Sequence, residues 1–134
     1  MSGPPEVPTV VRLLGQARVE AYADAAHDHN PLHLDPEFAK QGGFDGAIAH
    51  GMLVLALVSE AMVAAFGVRW AEAGTLKVRW RAPATIPAMV TVHAELRSDR
   101  DGLASYDVTC TDDRGNVLLS GTASAPYGGA GAER

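Results

Sequence analysis

Residues 49–66, AHGMLVLALVSEAMVAAF, decide how this chain folds. Apolar side chains occupy nearly every direction around a 3.6-residue repeat, so the segment reads as a helix enclosed by protein rather than one lying on a surface. At about 1.5 Å per residue it is roughly 25 Å long, enough to cross a domain of this size. Its longest apolar run, Gly51 to Val58, ends at Ser59 and Glu60, well short of the roughly 18–20 residues that span a bilayer.

The sequence changes character near Gly74. Beyond it, LKVRWRA sets Leu76, Val78 and Trp80 against Lys77, Arg79 and Arg81, and VTVHAELR sets Val90, Val92, Ala94 and Leu96 against Thr91, His93, Glu95 and Arg97. Strict alternation of this kind marks half-buried strands. ASYDVTCT and LLSGTASA repeat it, turning Ala104, Tyr106, Val108, Cys110, Leu119, Gly121, Ala123 and Ala125 inward. The turn-forming SDRDG (98–102) and DDRGN (112–116) lie between them, and the spacing predicts an antiparallel meander. On the N-terminal side, TVVRLL offers a further strand. ARVEAYADAAH (17–27) is helical, and in DPEFAKQ Asp35 can cap a short helix with Pro36 at its first position. One buried helix against one antiparallel sheet is an α+β arrangement, with the sheet wrapped around the helix.

At 134 residues the chain suits one domain, assigned to residues 1–127, with GGAGAER (128–134) as a mobile tail. An apolar share of 47% against 20% charged residues excludes a disordered polymer. The formal charge of −5 lacks the basic footprint that nucleic-acid backbones require. Cys110 is the lone cysteine, so neither an internal disulfide nor a cysteine-rich zinc module can form, and a reducing compartment is expected. MSGPPEVPTVV has no basic stretch followed by an apolar one, so it is not read as a signal peptide, and a soluble cytoplasmic protein is expected.

The chemistry concentrates in HDHNPLH (27–33). Proline biases Asn30 out of the helical region, so Asp28 and His33 do not share a regular helix, but a turn can bring them together. A carboxylate beside an imidazole can hold a water between groups of different pKa, as acid–base chemistry requires. His27, His29, His33 and Asp28 could instead hold a metal, although their spacing matches no recognised ligand pattern. The plainest alternative is a turn capped by Asp28 or Asn30 with His33 as a hydrogen-bonded core residue. Downstream, Gly51 stands at the entrance of the buried helix, where backbone N–H groups lack intrahelical partners; one of them can stabilise an oxygen that gains negative charge. His50 beside it suits a positioning role. Lys77, Arg79 and Arg81 could meet phosphates or an acidic protein surface, or simply be a solvated strand face.

DHNPLHLDPEFAKQGGFDGAIAHGML (28–53) resembles the MaoC-like, R-specific enoyl-CoA hydratase family, with its Asp, any residue, Asn-Pro, an aliphatic residue and His, followed by Ile-Ala-His-Gly-Met. The resemblance implies a hot-dog fold, a homodimer and a cofactor-free lyase that interconverts trans-2-enoyl and (3R)-3-hydroxyacyl thioesters of CoA or acyl carrier protein. It maps the catalytic pair onto Asp28 and His33 and the backbone donor to the thioester carbonyl onto Gly51, while Asn30 shapes the turn. Two departures stand out. His27 occupies a position where many relatives carry Gly, and PATIPAMV (83–90) replaces the usual Pro-Val-x-x-Gly-Asp turn. Because the same fold hosts thioesterases, thioester hydrolysis and noncatalytic acyl binding stay in view. Val54, Leu57 and Val58 are the candidates for setting acyl length.

Overall fold

The computed structural model describes residues 3–128. The element order is β1 (Val10–Leu14), α1 (Gln16–Ala26), α2 (Pro31–Leu34), α3 (Pro36–Gln41), α4 (Gly51–Phe66), α5 (Val68–Ala73), β2 (Thr75–Trp80), β3 (Ala88–Arg100), β4 (Leu103–Thr111) and β5 (Val117–Pro126). The strands form one antiparallel sheet in the order β1-β3-β4-β5-β2, with α4 packed against its inner face. This is the hot-dog fold expected above. Residues 129–134 of the expected tail lie outside the described residues.

Alternation explains the sheet. Val90, Val92, Ala104, Tyr106, Val108, Cys110, Leu119, Ala123 and Ala125 are all buried and meet Leu53, Val54, Leu57, Val58, Ala61 and Met62 of α4 in one core. The β3–β4 hairpin closes on Asp101 and Gly102, both at positive φ (55° and 80°), the backbone that a two-residue turn between twisted strands demands. The β4–β5 turn is held by Asp112, whose side chain accepts from the Arg114 and Asn116 backbones.

Two expectations need correction. Only β3, β4 and β5 form a meander; β2 crosses to the far edge and pairs with β5. The reason lies in residues 81–87, which do not turn back as a hairpin. They run beside the segment before α4 instead, where Ala49 N–H donates to the Ala84 carbonyl and Ile86 N–H to that of Ala47. The second concerns α4. Five strands cover one side of it, so within a single chain Met52 is 55% and Val63 48% exposed, and the helix is enclosed on one face rather than all round. On its flank Glu60 pairs with Arg12 of β1.

Gly121 lets β2 approach. A Cβ there would stand 2.1 Å from the Lys77 carbonyl oxygen, a backbone atom that cannot swing away. Gly121→Ala is expected to cost about 1–3 kcal/mol, read as a lower midpoint in urea denaturation. An unchanged midpoint would contradict this strand register. Burial pushes the Cys110 thiol up to about 11. The folded protein should therefore resist a thiol reagent at about pH 8 and react with it once unfolded.

Candidate active site

Asp28 and His33 are brought together by the loop and short helix that follow α1. That helix ends at His27, which adopts the left-handed conformation (φ 55°, ψ 40°), and the next peptide turns back so that Asp28 N–H donates to the Ala23 carbonyl at 3.0 Å. Asn30 then caps α2: its side-chain oxygen accepts from Leu32 N–H at 3.0 Å, and Pro31 occupies the first helical position. A carboxylate oxygen of Asp28 and one ring nitrogen each of His33 and His50 lie within 4.8 Å of one another. Asp28 is exposed, His33 half-buried and His50 buried.

Hydrogen bonds orient both rings. His33 Nδ1 lies 2.8 Å from the Ile48 carbonyl oxygen, which can only accept. Nδ1 therefore carries the proton, and in the neutral ring Nε2 keeps its lone pair. His50 Nε2 likewise donates to the Asp28 carbonyl at 3.0 Å, leaving its Nδ1 buried without a partner among the described residues. The His33 and His50 rings stack at 3.8 Å, with Tyr22 4.8 Å behind His50. His50 thus ties the Asp28 backbone to the His33 ring.

A cavity of about 360 Å³ opens beside His33. Its walls include His33, Gly51 and Val54 on one side and Trp80, Arg81 and Leu118 on the other. His50 precedes α4 but makes no side-chain cap, and the first intrahelical donors to its carbonyl are Leu53 and Val54. Among the described residues the Gly51 N–H consequently meets no acceptor, and it stands at the positive end of a 16-residue helix. A Cβ at Gly51 would come within 2.7 Å of the Trp80 indole nitrogen, so glycine is what allows that ring to close the cavity wall.

The sequence reading named Asp28, His33 and Gly51; the structure sets His33 and Gly51 on one cavity and a carboxylate oxygen of Asp28 within 4.8 Å of a His33 ring nitrogen. It does not gather the imagined metal set. His27 and His29 are exposed, His29 Nε2 pairs with Asp24 at 2.8 Å, and the third member of the cluster is His50. Of the residues named for acyl length, Val54 lines the cavity while Leu57 and Val58 sit deeper in the core. Trp80 faces inward along β2 as expected, its indole against the start of α4, yet it stays 49% exposed because β2 is an edge strand. Leu118 escaped notice because a register shift after Cys110 leaves it between paired positions; no alternation pattern announces a bulge.

The sequence profile of the MaoC like domain matches residues 3–116. This chain belongs to the MaoC-like family. Among its relatives, 3-hydroxyacyl-thioester dehydratase Z of Mycobacterium tuberculosis is 39% identical over 85 residues, 60% of this chain and 56% of that protein. The (R)-specific enoyl-CoA hydratase of Aeromonas caviae is 51% identical over 48 residues, 36% of each chain. The solved (R)-hydratase from A. caviae superimposes with a TM-score of 0.81 at 24% identity, covering 95% of this chain and 98% of that one, which supports the shared fold. This chain spans from 28% to 56% of the length of the curated relatives it matches.

Within this MaoC-like chain His27 is, with Asp101, one of two described non-glycine residues at positive φ. Left-handed backbone costs a residue with a Cβ about 1–2 kcal/mol, and glycine escapes the penalty. His27→Gly is therefore expected to raise stability by about 1 kcal/mol in chemical denaturation, and His27→Val to lower it. A neutral glycine variant would mean that the ring supplies a compensating contact.

Proposed function

We propose that this chain adds water to trans-2-enoyl thioesters and, in reverse, dehydrates (3R)-3-hydroxyacyl thioesters. The observation that carries the reading is the His33 ring, fixed with Nδ1–H on the Ile48 carbonyl so that Nε2 can accept a proton, with the Asp28 carboxylate close by and the Gly51 N–H on the same cavity. Water is a weak nucleophile, and a thioester-activated alkene accepts it only if electrons can move onto the carbonyl oxygen. With the carbonyl on Gly51 N–H, that charge gains a donor at a helix N-terminus. The water lies between Asp28 and His33 Nε2, adds to C3, and a proton from the pair goes to C2. The named activities of the relatives from A. caviae and M. tuberculosis support this choice of reaction. No metal or cofactor enters these steps. The carrier of the thioester is CoA or acyl carrier protein.

The reading includes a homodimer. Within one chain Met52 and Val63 leave an apolar strip on α4 exposed, and a second copy would cover it. Light scattering after size exclusion should give twice the chain mass, and the charge in Met52→Glu should shift it toward monomer. A monomeric parent would refute the dimer.

The hydration test uses crotonyl-CoA and follows loss of the enoyl-thioester ultraviolet absorbance. Asp28→Ala and His33→Ala should each lower kcat by about 10²–10⁴-fold. Activity equal to the parent in both variants would refute the assignment. Release of free thiol from saturated acyl-CoA, detected with a thiol reagent, would point to hydrolysis instead.

A further inference from the structure

On the outer face of the sheet, away from α4, the β2 edge carries an unbalanced group of cations. Lys77 and Arg79 stand opposite Thr122 and Ser120 of β5 in the antiparallel register, so these four side chains share one face. Arg81 follows just beyond the strand and donates from Nε to Ser120 Oγ at 2.9 Å. Lys77, Arg79 and Arg81 are all exposed, and among the described residues none of them takes part in an ion pair. The nearby acid on the same face, Asp107 of β4, is occupied by Arg97 at 3.0 Å. In a chain of net charge −5 this is a local concentration of positive charge.

The cations and hydroxyls line a groove of about 410 Å³. Arg81 borders both this groove and the cavity of His33 and Gly51, so the two spaces meet at one side chain. Successive side chains on one face of a strand are about 7 Å apart, a spacing that lets several phosphoryl groups of one extended ligand be met in turn. Guanidinium forks and hydroxyl donors suit phosphoryl oxygens, and a concave groove of this size fits a nucleotide handle better than a flat protein face.

We propose that this groove binds the phosphates of a nucleotide-bearing thioester, with Arg81 at the junction where the thiol arm passes into the cavity. The inference rests on the thioester reading above and makes CoA, rather than acyl carrier protein, the handle for which the β2 face is built. Lys77 and Arg79 act here as binding residues for the part of the ligand remote from the reacting atoms.

The experiment compares crotonyl-CoA with crotonyl-pantetheine, which lacks the nucleotide, and with the crotonyl thioester of acyl carrier protein, in the parent chain and in Lys77→Ala/Arg79→Ala. Two exposed cation–phosphate pairs predict that the variant lowers the ratio of kcat/KM for CoA over pantetheine by about tenfold, chiefly through KM. The difference should shrink as salt rises. Arg100→Ala, which removes a positive charge at the far end of β3, should keep the parent ratio. In parallel, adenosine 3′,5′-bisphosphate is titrated calorimetrically at low salt; binding by the parent and about tenfold weaker binding by the double variant support the groove even if neither thioester is hydrated, in which case the thioester-hydration reading fails alone. An unchanged ratio with unchanged bisphosphate binding overturns the groove while leaving hydration intact. A loss confined to the acyl carrier protein thioester also overturns it, in favour of an acidic protein face.

Discussion

The peptide groups of Ala47, Ile48 and Ala49 are hydrogen-bonded on two sides at once. Toward α2, Ile48 N–H donates to the Leu32 carbonyl and the Ile48 carbonyl receives His33 Nδ1–H. Toward the β2–β3 connection, Ala49 N–H donates to the Ala84 carbonyl and Ile86 N–H to that of Ala47. This short extended segment therefore fixes three things together: the tautomer of His33, the entry of α4, and the course of residues 81–87 along the cavity wall. Without it the imidazole, the helix N-terminus and the pocket lining would be independent loops, each with its own entropy to lose.

His50 carries the same constraint one residue further. As the residue before α4 it would ordinarily be a serine, threonine or aspartate that caps the first N–H groups. Here the side chain turns away to the Asp28 carbonyl and stacks on His33, so the first helical N–H is left open to the cavity. Forgoing the cap costs roughly 1 kcal/mol of helix stability, offset by burying the ring against Tyr22 and His33. In the proposed reaction this free donor is the one offered to the thioester carbonyl.

The cavity wall opposite His33 comes from chain crossings rather than from one motif. Trp80 ends an edge strand, Leu118 sits at a register shift in β5, and residues 82–84 lie on the connection between sheet edges. Glycine at 51 admits the Trp80 indole, and glycine at 121 admits the β2 backbone. Both are close approaches between segments distant in sequence, which is why neither had a local signature.

Local pattern marked most of the elements, through the apolar repeat of 49–66 for α4, the alternation of 76–125 for β2 to β5 and the Asp35-Pro36 cap for the start of α3, while the short α2 and α5 had no such mark. The turn chemistry of Asn30-Pro31 allowed Asp28 and His33 to meet, because backbone geometry at proline is a local property, and the resemblance of residues 28–53 to the MaoC-like family singled them out as the pair. Partner choice among strands, the exposed strip of α4, the docking of Trp80 at Gly51 and the stacking of His50 on His33 were not legible. These depend on which residues meet across the fold, and packing between distant segments leaves no period in the chain to read.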